Sequence, residues 1–111
     1  MYSSFMERDI AMLLRELEAA LKAMYSTRLR GVYLFGSLAR GEADPQSDAD
    51  VLVVLDRIDR YGAELERTGS VVSELSLKYG VSVSRIFVSE QDWLSGECSF
   101  LRNVREEAIP V

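Results

Sequence analysis

With no histidine and a single cysteine, Cys98, the chemistry of this 111-residue chain falls to carboxylates, hydroxyls, backbone amides, arginines and lysines. Ser-His-Asp and Cys-His catalysis, imidazole general bases and His-ligated zinc are excluded by that count alone. The informative stretch is Gly36 to Val54, which reads GSLARGEADPQSDADVLVV. A Gly36-Ser37 pair follows an aromatic and β-branched run. Ten residues later come Asp48 and Asp50, one residue apart, and a strongly apolar run follows them.

Each part has a physical use. Gly36 lets the backbone turn tightly and lets a ligand come close. Amides at the start of a helical turn, with the Ser37 hydroxyl, form an anion site suited to terminal phosphates. Asp48 and Asp50 point to one face of an extended segment, with backbones ~7 Å apart. Two such carboxylates can converge on a hard cation, and Mg²⁺ takes a few carboxylate oxygens together with waters and substrate phosphates. The set describes metal-assisted phosphoryl or nucleotidyl transfer. Taken singly, the parts are ordinary: Gly-Ser after a strand is usually a turn, and Asp-x-Asp before a strand is often a loop cap. The DADVL run also resembles the aspartate-nucleophile motif of haloacid-dehalogenase-like phosphatases, but there the apolar strand precedes the first Asp, and here it follows. Asp-x-Asp glycosyltransferases need a much larger fold.

These residues must be positioned by the elements around them. Residues 4 to 25 read as a helix: Ser4 and Glu7 have capping-box spacing, and Met6, Ile10, Leu13, Leu14, Leu17, Leu21 and Met24 form one apolar stripe. Arg30 to Phe35 reads as a strand, SLARG as one helical turn, and Glu42 to Ser47 as a loop with a turn at Asp44-Pro45. Asp50 to Leu55 is the strongest strand, apolar on both faces and so central and covered. A second long helix opens at Asp59 or Arg60, carries Tyr61, Leu65, Thr68, Val72, Leu75 and Tyr79 at steps of three and four, and ends at Gly80. Val81 to Val88 is a third strand; Ser89 caps a short helix through Trp93, and Ser99 another through Glu107. Strands alternating with helices predict an α/β fold in one domain, residues 1–111: a small mixed β-sheet with helices mainly on one face and the motif on the other.

Thirteen basic against eighteen acidic residues give a net charge of −5, which disfavours a general nucleic-acid binder but not a metal-bearing nucleotide site. No apolar run approaches the roughly 20 residues that span a bilayer. The start, MYSSFMERD, lacks a signal-peptide pattern, and one thiol in an acidic, disulfide-free chain suits the cytoplasm. Cys98 is expected as a small apolar filler, Trp93, Phe100 and Leu101 as packing under the tail, and Arg102, Arg105, Glu106 and Glu107 as surface.

The joint pattern, Gly36-Ser37, ten residues, Asp48-Ala49-Asp50, resembles the signature of the DNA polymerase β-like nucleotidyltransferase superfamily. GSLARGEADPQSDADVLVVL and the tail SFLRNVREEAIPV look like its minimal nucleotidyltransferases, and the resemblance covers essentially the whole chain. It implies a nucleotidyltransferase fold and an enzyme in which Gly36 and Ser37 hold the β- and γ-phosphates and Asp48 and Asp50 ligate Mg²⁺. An acceptor hydroxyl would attack the α-phosphorus of ATP or another nucleoside triphosphate. Arg40 would contact phosphate, against the plainer reading of an exposed Arg bonding the Glu42 or Asp44 loop.

One departure stands out. Family members usually carry a third carboxylate on the next strand, where this chain places Ser84, with Ser82 its same-face neighbour. Glu90 and Asp92 are the nearest acids and lie past the strand. Two functions therefore stay open: an AMP-transferring enzyme, and a nucleotide-binding antitoxin or regulatory subunit with little activity of its own. The resemblance also suggests a helical HEPN-type partner protein that would supply the acceptor, as toxin to this antitoxin; a second copy of the chain stays open as another partner.

Overall fold

The computed structural model describes residues 2–42 and 48–111, with side chains from residue 9 onward. Helix α1 (Tyr2–Tyr25) leads through a 3₁₀ turn (Ser26–Arg28) into strand β1 (Leu29–Phe35). A single helical turn, α2 (Gly36–Ala39), precedes β2 (Ala49–Leu55). Helix α3 (Tyr61–Tyr79) is followed by β3 (Val83–Ser89), α4 (Glu90–Ser95), α5 (Ser99–Glu107) and a two-residue strand β4 (Ile109–Pro110). The sheet order is β3-β2-β1-β4, with β2 antiparallel to β1, parallel to β3, and β1 antiparallel to β4. This is the mixed sheet expected.

β2 is interior, and five of its seven residues are consecutive buried apolar side chains, Val51 to Leu55. Alternation along it divides the core in two. Val51, Val53 and Leu55 face the long helices, where Leu13, Leu17 and Leu21 of α1 and Val72 and Leu75 of α3 are buried. Leu52 and Val54 face the other way, against Trp93, Leu101 and Val104 of the short helices α4 and α5. The long helices thus lie on one face, but the short ones cover the second, so the expected one-sidedness holds only for α1 and α3. Asp50 belongs to the Leu52 side, opposite the long helices, as expected.

Helix α1 is already formed at Tyr2, so position 4 lies inside it and not at its start. At α5 the cap position is Cys98, not Ser99. Ser89 does cap α4, accepting from the Asp92 amide at 3.2 Å. Gly80 closes α3 in the left-handed conformation. Cys98 is exposed, correcting the filler reading. Trp93 and Leu101 are core, as expected, while Phe100 remains 46% exposed. The turn expected at Asp44-Pro45 lies outside the described residues. Among the described residues no helix is long and apolar enough to cross a membrane.

Candidate functional site

β1 ends at Phe35, and the chain turns at once into α2. Gly36 takes the turn at φ +78°, a conformation that side-chain-bearing residues rarely adopt. The Arg40 amide donates to the Gly36 carbonyl at 3.2 Å and the Glu42 amide to the Ser37 carbonyl at 2.9 Å, so the turn is closed by its own backbone. The antiparallel register sets Asp50 opposite Phe35. The Asp50 side chain therefore rises beside Gly36, and a Cβ added at Gly36 would collide with its Oδ2. Absence of a side chain at position 36 is what admits the carboxylate to the corner.

Asp48 is exposed and Asp50 partly buried. Burial pushes the Asp50 carboxyl above the ordinary aspartate range; the Asp48 charge adds to that push, Arg40 opposes it, and Glu107 adds again. Asp48, Arg40 and Glu107 all act electrostatically on Asp50. Arg40 donates from Nε to Glu42 Oε1 at 3.0 Å and from Nη1 to Glu107 Oε2 at 2.7 Å. The plainer reading of Arg40, a bond to Glu42, is thus present. Glu107, read from sequence as surface, is the residue that reading missed: its partner is 67 positions away, and no local pattern in the sequence pairs them.

β3 runs parallel to β2 with Ser84 opposite Asp50. The position on the neighbouring strand beside Asp50 therefore carries an exposed hydroxyl, and Ser82 is likewise exposed. Glu90 opens α4 and pairs with Arg30 at 3.4 Å, and the Asp92 amide is bonded to Ser89.

The donors fit Mg²⁺ by chemistry: they are carboxylate oxygens, and Asp50 feels Asp48 as a repelling charge that a cation would relieve. Among the described residues no group of three or more His, Cys, Asp and Glu could hold a metal by itself. A two-carboxylate platform suits an ion that keeps waters and substrate phosphates in its shell, and does not suit a closed protein cage.

The raised Asp50 carboxyl has a consequence for stability. Folding favours its protonated form, so that contribution is full below the ordinary aspartate range and is lost as pH rises through the raised value. At neutral pH the ionised side chain opposes folding. Asp50→Asn is expected to unfold at higher urea than the parent chain at pH 7, with the difference closing as the pH falls below the ordinary aspartate range. An unchanged or lowered midpoint at pH 7 contradicts this.

The family model described as "Nucleotidyltransferase domain" matches residues 14–109. "Putative protein adenylyltransferase MJ0604" of Methanocaldococcus jannaschii is 38% identical over 100 residues, covering 85% of this chain and 89% of that protein. A second protein of that organism, "Putative protein adenylyltransferase MJ0141", is 32% identical, covering 93% of this chain and 99% of its own length. Among solved structures, a "putative minimal nucleotidyltransferase" superposes with a TM-score of 0.60 at 30% identity, covering 96% of this chain and 95% of that one. A toxin–antitoxin crystallised with AMP-PNP shares the fold with a TM-score of 0.56 at 21% identity, covering 94% of this chain and 70% of that one.

Proposed function

Since the chain belongs to the nucleotidyltransferase domain family, we propose that it transfers AMP from ATP to a hydroxyl on a partner protein, with Gly36, Ser37 and Arg40 on the phosphates and Asp48 and Asp50 holding Mg²⁺. The observation that carries this reading is the packing of Asp50 onto side-chain-free Gly36: it brings a carboxylate and a phosphate corner to the same point.

The backbone turn at Gly36-Ser37 and the Arg40 guanidinium orient the β- and γ-phosphates. Asp48, just before β2, and Asp50 within it would hold Mg²⁺. Bound Mg²⁺ would offset the triphosphate charge and polarise the α-phosphorus. The acceptor hydroxyl oxygen then forms its bond to the α-phosphorus and gives up its proton to solvent, the bridge to the β-phosphate breaks, and pyrophosphate leaves with the electron pair. Holding nucleotide and acceptor together supplies much of the rate. The names of the protein relatives and the toxin–antitoxin context of a structural relative favour a protein acceptor, in keeping with a helical HEPN-type partner.

A second reading rests on Ser84. With a hydroxyl opposite Asp50 where the family usually has an acid, the chain would bind nucleotide as an antitoxin or regulatory subunit and turn it over slowly. Incubating the chain with Mg²⁺ and α-labelled ATP, alone and with a candidate helical HEPN-type protein, decides between them. Label fixed on the partner supports transfer. Nucleotide binding without label on any acceptor supports the second reading. Label on a small molecule alone removes the partner from the account.

A further inference from the structure

Arg40 is the cation that acts on Asp50 beside the proposed phosphate site, yet its guanidinium is already engaged by two carboxylates. Nη1 meets Glu107 Oε2 at 2.7 Å and Nε meets Glu42 Oε1 at 3.0 Å. The Glu42 bond is local, two residues along the chain. The Glu107 bond is not: it joins α2 to the last residue of α5. β4 fixes that residue's place. Leu34 pairs with Ile109 and Tyr33 with Pro110, and this pairing anchors the end of α5 beside the turn from β1 into α2. The Ala108 amide, bonded to the Val104 carbonyl at 2.8 Å, closes α5 at the same point. A carboxylate is thereby delivered to the guanidinium at the level where a terminal phosphate is expected.

We propose that Glu107 stands in for substrate phosphate on Arg40, and that an entering triphosphate exchanges with it. This rests on the nucleotide-binding reading above. A carboxylate and a phosphate present the guanidinium fork with the same paired oxygens, so the two are natural competitors. The Arg40 and Glu107 side chains are 45% and 25% exposed. Solvent screens such a pair, which makes it easy to exchange for a multiply charged phosphate chain. Glu107 is then a positioning residue acting through Arg40: it holds the guanidinium at the mouth of the site until nucleotide enters and tempers nucleotide affinity.

The test is a double-mutant cycle read by calorimetric titration of the full chain with ATP and Mg²⁺. Glu107→Gln is expected to bind ATP about two- to fivefold more tightly than the parent, the scale of one exposed ion pair. In an Arg40→Gln background, which itself binds more weakly, the same substitution should change nothing. Unchanged or weaker binding by Glu107→Gln overturns the proposal. So does a gain of equal size in the Arg40→Gln background, which would mean that Glu107 acts on the site by its charge alone. As an independent measure on the parent chain, the carboxyl ¹³C resonance of Glu107 should move when ATP is added, and a stationary resonance is contrary. If the parent binds no ATP, the proposed function falls and takes this exchange with it; if ATP binds and the cycle is flat, only the exchange falls.

Discussion

Replacing Asp48 and Asp50 together by Asn is expected to abolish Mg²⁺-dependent transfer of AMP from α-labelled ATP, a fall on the order of a thousandfold or more. The reason is geometric as well as electrostatic. Asp48 lies just before β2, near enough to act on the Asp50 carboxyl, and Asp50 is seated against Gly36. Two amides in their place keep the shape and remove the anionic oxygens that a hard cation requires. The same substitution removes the charge that burial, and then Asp48, disfavour at Asp50, so the variant should remain folded at neutral pH and resist urea at least as well as the parent. Loss of transfer in a chain of undiminished stability separates a missing metal platform from a missing fold. Transfer retained by the folded double variant contradicts the mechanism.

Gly36→Ala should be nearly as damaging, for a different reason. At φ +78° an alanine is strained, at a cost of roughly 1–2 kcal/mol, and its methyl group would strike Asp50 Oδ2. One of the two must move. Displacement of a reacting-site group by about 1 Å can cost roughly a hundredfold in rate, and a fall of that size in AMP transfer is expected. Gly41 is the matched control. It has φ +73°, but among the described residues a Cβ there meets nothing within 4 Å. Gly41→Ala therefore carries the backbone strain without the collision: it should lose stability in urea yet keep most of its transfer rate. Equal loss of transfer in the two variants would assign the effect to the turn itself and not to the Gly36–Asp50 contact.

The parts of the fold that were legible are those in which local pattern and burial agree. Val51 to Leu55 reads as a covered strand because it is apolar on both faces, and it lies buried between two others. Thr68, Val72 and Leu75 of α3 repeat at the helical period and are all buried. The site's core was legible for the same reason. Gly36 lies where a strand must turn, and Asp48 and Asp50 are two positions apart on an extended segment, so elementary geometry sets them to one side. Long-range pairing was not legible. β4 is two residues long and ends in proline, a residue that cannot donate to a ladder, yet Ile109 and Pro110 pair with β1. That pairing carries Glu107 to Arg40, and no periodicity encodes it. Cys98 and Ser99 show a smaller failure: either could precede the first turn of α5, and the chain caps with the former.

AMP transfer requires this chain to cleave ATP between the α- and β-phosphates and pass on the AMP. The most direct measurement compares α-labelled with γ-labelled ATP, in Mg²⁺, with the chain and a candidate helical partner protein present. The account predicts label covalently fixed on the acceptor from the α-position only, the γ-label released as pyrophosphate, and neither event when Mg²⁺ is chelated. Label fixed from the γ-position, or release of the γ-label as inorganic phosphate with no α-label transferred, would contradict it.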